Sequence, residues 1–213
     1  MRGVASTYHR VFTFTFRSPE EALRFVELLS EHLRGANIIV NMRGSSVKVR
    51  VYGSRDEIED VALRMRDALT VVRGSGRAGL KRYPLRYLLD KAELRASIPI
   101  DLLRDVLELK GFKASIERGC LATDASLSDV LAALEGLSEA YLSLVRVKAS
   151  PKAKRLAALL SSVRGVPAPE ALEELARSGV IRRVEGAGTY VSAMEYGEAL
   201  SAVRKLLSEG ADR

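Results

Sequence analysis

Val11-Phe12-Thr13-Phe14-Thr15-Phe16-Arg17 alternates apolar and polar residues without a break, and Ser18-Pro19-Glu20-Glu21 ends the alternation at once. A period of two belongs to a strand with one buried face, here that of Phe12, Phe14 and Phe16. Ser18 with Glu21 three residues later is a capping box, and Pro19 occupies the first helical position, so a helix is predicted to start there. Ala22, Phe25, Val26, Leu29 and Leu33 recur at helical spacing, and Gly35 offers a left-handed stop. Two more strands follow at about 37–43 and 46–52, joined through Gly44-Ser45 as a type II′ hairpin. That register sets Met42 against Val47, Val40 against Val49 and Ile38 against Val51. The opposite face then carries Asn41, Arg43, Lys48, Arg50 and Tyr52. Ser54-Arg55-Asp56-Glu57 opens a second helix with Ile58, Val61, Ala62, Met65, Leu69 and Val72 on its apolar stripe. Residues 1–72 therefore read as a β-α-β-β-α module.

Working outward, residues 73–92 break the pattern and read as a basic Gly/Arg linker. A related order then recurs over 93–149. A strand is predicted at 93–98 and a helix from about Pro99. A hairpin through Phe112–Glu117 and Cys120–Thr123 turns on Arg118-Gly119, and a helix capped by Asp124 or Ser126 and a strand at 141–148 complete the unit. Arg43-Gly44 and Arg118-Gly119 fall at corresponding turns, which suggests an internal duplication with a period too long for a solenoid. Residues 150–213 read as a mainly helical C-terminal unit: two helices, a short hairpin at 180–192 and a last helix. That order is the end of a winged helix, though two helices precede the hairpin where three are usual. The fold class is α+β, two β-α-β-β-α modules in tandem followed by the helical unit.

The composition narrows the function classes. Of 213 residues, 47% are hydrophobic, so the chain is globular. No apolar run approaches the roughly 18 residues that span a bilayer. The first residues lack the apolar core of a secretory signal, so the cytoplasm is the expected compartment. One cysteine, Cys120, and two histidines, His9 and His32, exclude an internal disulfide and a Cys/His zinc site. The net charge of +7 favours a polyanionic partner. The chain has no glutamine and only two asparagines, Asn37 and Asn41, a depletion that suits a thermophile or a GC-rich genome.

No catalytic motif stands out, and no cofactor is implied. Gly74-Ser75-Gly76-Arg77-Ala78-Gly79 spells the dinucleotide fingerprint but follows a predicted helix, whereas that chemistry needs a strand before it and a helix after it. The same stretch matters more for charge. Arg73, Arg77, Lys81, Arg82 and Arg86 accumulate without an acid and alternate with Tyr83 and Tyr87, a pattern suited to phosphate neutralisation and base stacking. A solvated linker whose tyrosines pack on neighbouring modules fits equally. The outer face of the first sheet, with Arg43, Lys48 and Arg50, is a second candidate surface, poor in aromatics because only Tyr52 qualifies. Arg146, Lys148, Lys152, Lys154, Arg155 and Arg164 form a third basic stretch, which Arg182 and Arg183 extend if the late hairpin folds near it.

Val47-Lys48-Val49-Arg50-Val51 followed by Tyr52-Gly53-Ser54-Arg55-Asp56-Glu57-Ile58, with the later Gly-rich pattern, resembles an archaeal family, the domain of unknown function numbered 2067. That resemblance implies no activity and lends no site residues. The first module is also similar in element order to the Pcc-one subunit of the archaeal KEOPS complex, which implies dimerisation. The leading expectation is non-enzymatic RNA binding, with Arg73, Arg77, Lys81, Arg82 and Arg86 as the main contacts. The alternatives are an interaction subunit, as a homodimer or in a larger complex, and an enzyme with scattered catalytic residues.

Overall fold

The computed structural model describes residues 8–74, 79–184, 186 and 188–209. The chain divides into two units between Tyr87 and Leu88.

In the first unit, β1 (Tyr8–Thr15), β2 (Ile38–Arg43) and β3 (Ser46–Gly53) form an antiparallel sheet in the order β1-β3-β2. The helices α1 (Pro19–His32) and α2 (Arg55–Arg73) cover one face. The alternation of the opening strand decides which face: Phe14 and Phe16 lie 4.8 and 5.0 Å from the Phe25 ring of α1. Val47, Val49 and Val51 join Leu29, Met65 and Ala68 in the same core. The hairpin register is the one predicted, Met42 against Val47 through Ile38 against Val51. Gly44 has φ +55 and Ser45 keeps a negative φ, as a type II′ turn requires. Helix α2 carries a full capping box, with Ser54 N–H donating to Glu57 Oε2 at 2.6 Å and Glu57 N–H to Ser54 Oγ at 3.3 Å. At α1 the box is open. Glu21 Oε2 accepts from the amide of Arg17, one residue before the cap.

The predicted 73–92 linker is structured at both ends. Strand β4 (Lys81–Pro84) and helix α3 (Leu85–Lys91) follow α2, and Gly74 is the C-cap of α2. A Cβ on Gly74 would stand 2.6 Å from the carbonyl oxygen of Thr70 and 3.1 Å from that of Arg82. The glycine that begins the apparent nucleotide fingerprint is thus needed for the close approach of β4 to the end of α2. Arg77 lies outside the described residues.

The second unit holds α4 (Asp101–Leu109), the hairpin β5 (Ala114–Glu117) and β6 (Cys120–Thr123), and α5 (Leu127–Ser143). It continues with α6 (Pro151–Arg164), α7 (Ala168–Arg177), the hairpin β7 (Ile181–Val184) and β8 (Thr189–Ser192), and α8 (Tyr196–Glu209). Five consecutive residues of α6, Leu156 to Leu160, are fully buried, because α4, α5, α7 and α8 pack around it. The helices α6, α7 and α8 therefore share one core with α4 and α5 before them.

Two predicted strands are absent. Residues 93–98 are irregular, and the amides of Arg95 and Ala96 both donate to Ser138 Oγ at 2.8 Å, so a side chain satisfies what a strand would have paired. The apolar run at 141–148 is the last turn of α5 and the loop after it. Leu137, Ala140 and Leu144 continue the helical stripe and are all buried. A strand does precede the second helix–hairpin–helix in chain order, but it is Lys81–Pro84. The two hairpin turns also differ. The second loop is Arg118-Gly119, both at positive φ (+50 and +74), a type I′ turn, whereas Arg43 is still in its strand. Cys120 is half-buried.

Helix α5 packs against α6 and α7, so these three helices precede the β7–β8 hairpin in chain order. Ala149, between α5 and α6, bridges to Tyr190 of β8, with Tyr190 N–H to Lys148 O at 2.9 Å and Ser150 N–H to Tyr190 O at 2.7 Å.

Candidate nucleic-acid interface

The same alternation that buries Phe12, Phe14 and Phe16 turns the odd-numbered residues of β1 outward. Pairing then sets the open face in rows across β1, β3 and β2: His9–Tyr52–Asn37, Val11–Arg50–Ile39, Thr13–Lys48–Asn41, and Thr15–Ser46–Arg43. No carboxylate stands in any row. Thr13, Asn41, Arg43, Ser46, Lys48 and Arg50 line one shallow concavity on this face. Arg43, Lys48 and Arg50 are exposed, and among the described residues none of them forms an ion pair. Arg50 Nη1 donates to the Tyr52 hydroxyl at 3.3 Å. The aromatic poverty expected of this face is less severe than the sequence indicates, because His9 is exposed and its ring lies 5.9 Å from that of Tyr52.

The linker cations have different fates. Arg86 pairs with Asp60, which also holds Arg64 at 2.8 Å. The Arg86 hydrogen bond, with help from the charges of both arginines, keeps the Asp60 carboxyl below the usual carboxylate range. Arg73 Nη2 donates to the carbonyl of Thr15 at 3.0 Å, and its guanidinium lies 5.8 Å from the Phe16 ring centre. Tyr83 and Tyr87 are buried, 5% and 2% exposed, so they offer no stacking faces. This corrects the expectation of an acid-free, solvated arginine and tyrosine stretch: the acid that pairs Arg86 comes from α2, 26 residues back along the chain. Lys81 and Arg82 remain exposed.

In the second unit the third basic stretch is partly used internally, while Arg146 and Lys148 are exposed. Arg155 pairs with Asp101 and stacks 5.1 Å over the Tyr196 ring, Lys152 pairs with Glu195 at 3.2 Å, and Arg164 pairs with Glu174. Arg182 and Arg183 are exposed on β7. The exposed side of α7 carries Glu170 and Glu173 together with Arg177.

A cluster that sequence spacing cannot reveal centres on Asp105, 1% exposed. Its Oδ1 accepts from Arg104 Nη2 at 2.6 Å and Nε at 3.0 Å, and its Oδ2 from the Tyr196 hydroxyl at 2.7 Å. Burial and this bond to the carboxylate raise the Tyr196 pKa, and burial pushes Tyr141 up to about 12. The one local signal was an aspartate placed among Leu102, Leu103 and Val106 on the apolar stripe of its helix. With every carboxylate oxygen satisfied and the group closed from solvent, the cluster reads as a clamp between α4 and α8. Among the described residues no group of His, Cys, Asp and Glu could hold a metal ion.

A family model described as an uncharacterized protein conserved in archaea (DUF2067) matches residues 14–201. The chain belongs to this family. The match spans both units, so DUF2067 describes the sheet with its open face and the helical unit together. No curated protein and no solved structure matches the chain. The likeness to Pcc-one, drawn from element order, the Phe-Thr-Phe strand and helix spacing, is not shown by these comparisons. Among the described residues, no helix of this DUF2067 member is long and apolar enough to cross a membrane.

Proposed function

We propose that this protein is a cytoplasmic, non-enzymatic RNA-binding protein that holds a single strand on the open face of the β1-β3-β2 sheet. The reading is carried by one observation: Arg43, Lys48 and Arg50 share an exposed face with no carboxylate, and among the described residues none of them forms an ion pair. In the same unit Arg55, Arg64 and Arg86 face acids, whereas Lys81 and Arg82 are exposed like the sheet cations. Unneutralised cations on one face repel each other, and a phosphate chain relieves that cost while releasing its own counterions. The pair His9 and Tyr52 supplies ring surface at one end of the track.

The test is fluorescence anisotropy with a labelled single-stranded RNA of about 12 nucleotides, a length within the usual site sizes. Titrations between about 50 and 200 mM salt should give a log–log slope near −2, roughly 0.7 for each of three phosphate contacts. A slope near zero overturns the electrostatic mechanism.

A second reading, a protein-docking or dimerising face, draws on Val11 and Ile39, exposed by 39% and 47% on the same open face. Light scattering after size exclusion separates the two. A monomer at high concentration that still binds RNA excludes the homodimer version.

A further inference from the structure

Asn37 and Asn41 are the only side-chain amides in a chain that has no glutamine at all. Both stand on the open face of the first sheet. Asn41 lies in register with Lys48 and lines the basic concavity. Asn37 lies opposite Tyr52, whose N–H donates to the Asn37 carbonyl at 2.9 Å, and it lines a second cleft with Tyr52 and Arg34. Both asparagines are exposed, and among the described residues neither side-chain amide makes a hydrogen bond. An amide offers one acceptor and two donors on one planar group, the match for a base edge, whereas lysine and arginine only donate. The second cleft carries Arg34 and Arg64 as well as acids. Two carboxylates line it, Glu57, held in the α2 cap, and Asp60, held by Arg64 and Arg86.

We infer that Asn37 and Asn41 read the bases of the single strand whose phosphates Arg43, Lys48 and Arg50 neutralise, with the Tyr52 ring stacking the base that Asn37 contacts. The inference rests on the proposed RNA-binding function and adds base selectivity to it. At about 3.3 Å per strand residue, the two asparagines stand roughly 13 Å apart, so they address separate nucleotides. The division of labour is the usual one: cations along the track set affinity and salt dependence, and groups meeting base edges set sequence preference.

The experiment compares labelled single-stranded U, A, C and G homopolymers on the full chain, wild type and N37A/N41A, with R43A/K48A/R50A as a second variant. All these positions are exposed, and circular dichroism confirms that each variant folds. The wild type should prefer one or two homopolymers by about tenfold, in line with one or two amide–base contacts. N37A/N41A should bring the homopolymers to within about twofold of one another at an unchanged salt slope. R43A/K48A/R50A should weaken all of them together and flatten the slope. Equal wild-type binding of all four with a normal slope overturns the base-reading role alone, as does a preference that survives N37A/N41A. Absence of binding to any homopolymer at low salt overturns both this inference and the function beneath it.

Discussion

Tyr196, the first residue of α8, donates its hydroxyl hydrogen to Oδ2 of Asp105 on α4 at 2.7 Å, joining positions 91 residues apart. The carboxylate is otherwise held by Arg104 and is closed to solvent, so this bond satisfies its last oxygen. Tyr196→Phe leaves that oxygen buried without a donor. It should lower stability by about 1–3 kcal/mol, read as a shift in urea midpoint with unchanged slope. A variant with the wild-type midpoint would show the clamp to be dispensable.

Alkaline pH should act through the same region. Tyr141 is raised from 10.0 to about 12, and Tyr196 is raised also. A folded pKa above the unfolded one means the native state binds more protons in between, so stability is intact below pH 10 and is lost as pH rises toward 12. Thermal midpoints across that range, compared between wild type and Tyr196→Phe, should show a shallower alkaline decline in the variant.

Asp60 predicts the opposite limb. Its carboxyl is held below the ordinary 3.8 chiefly by the Arg86 hydrogen bond, so its contribution is complete above 3.8 and disappears as pH falls through the lower folded value. The group is 43% exposed, which limits the contribution to at most about 1 kcal/mol. Asp60→Asn should flatten the acid limb of stability slightly and leave the neutral-pH fold intact by circular dichroism.

Lys48→Ala and Arg86→Ala separate the two basic regions. Loss of Lys48 should reduce the RNA salt slope by about 0.7 and leave the unfolding midpoint unchanged. Loss of Arg86 should do the reverse, because its charge is already spent on Asp60. Equal effects on binding would return the former linker to the interface.

Arg118 is the only non-glycine residue at positive φ among the described residues. Arg118→Gly removes left-handed strain worth about 1 kcal/mol and should raise the urea midpoint, offset in part by the freer unfolded chain. Gly44→Ala, at φ +55 with open space around it, should lower the midpoint by a similar amount for the same conformational reason.

The first unit was legible because its signals are local and agree with one another: the Phe12–Phe16 alternation, the serine caps and the Gly44-Ser45 turn. The second unit misled where an apolar run had more than one way to be buried. Tyr141, Val145 and Val147 fall on one parity and suggest a strand, yet α5 continues through Ser143. The Arg95–Ala96 backbone found its partner in Ser138, more than forty residues away.

By itself the sequence determined the α+β class, the elements and register of the first sheet, and the set of cations available to a polyanion. All of these follow from interactions a few residues long, or from one hairpin whose turn sets its own register. The tertiary structure decided which cations remain available. Arg73, Arg86 and Arg155 look free in the chain, but Thr15, Asp60 and Asp101 meet them in the fold, whereas Arg43, Lys48 and Arg50 project from a face where no acid stands. Charge neutralisation depends on distance in space, and only folding brings those acids within reach of their arginines.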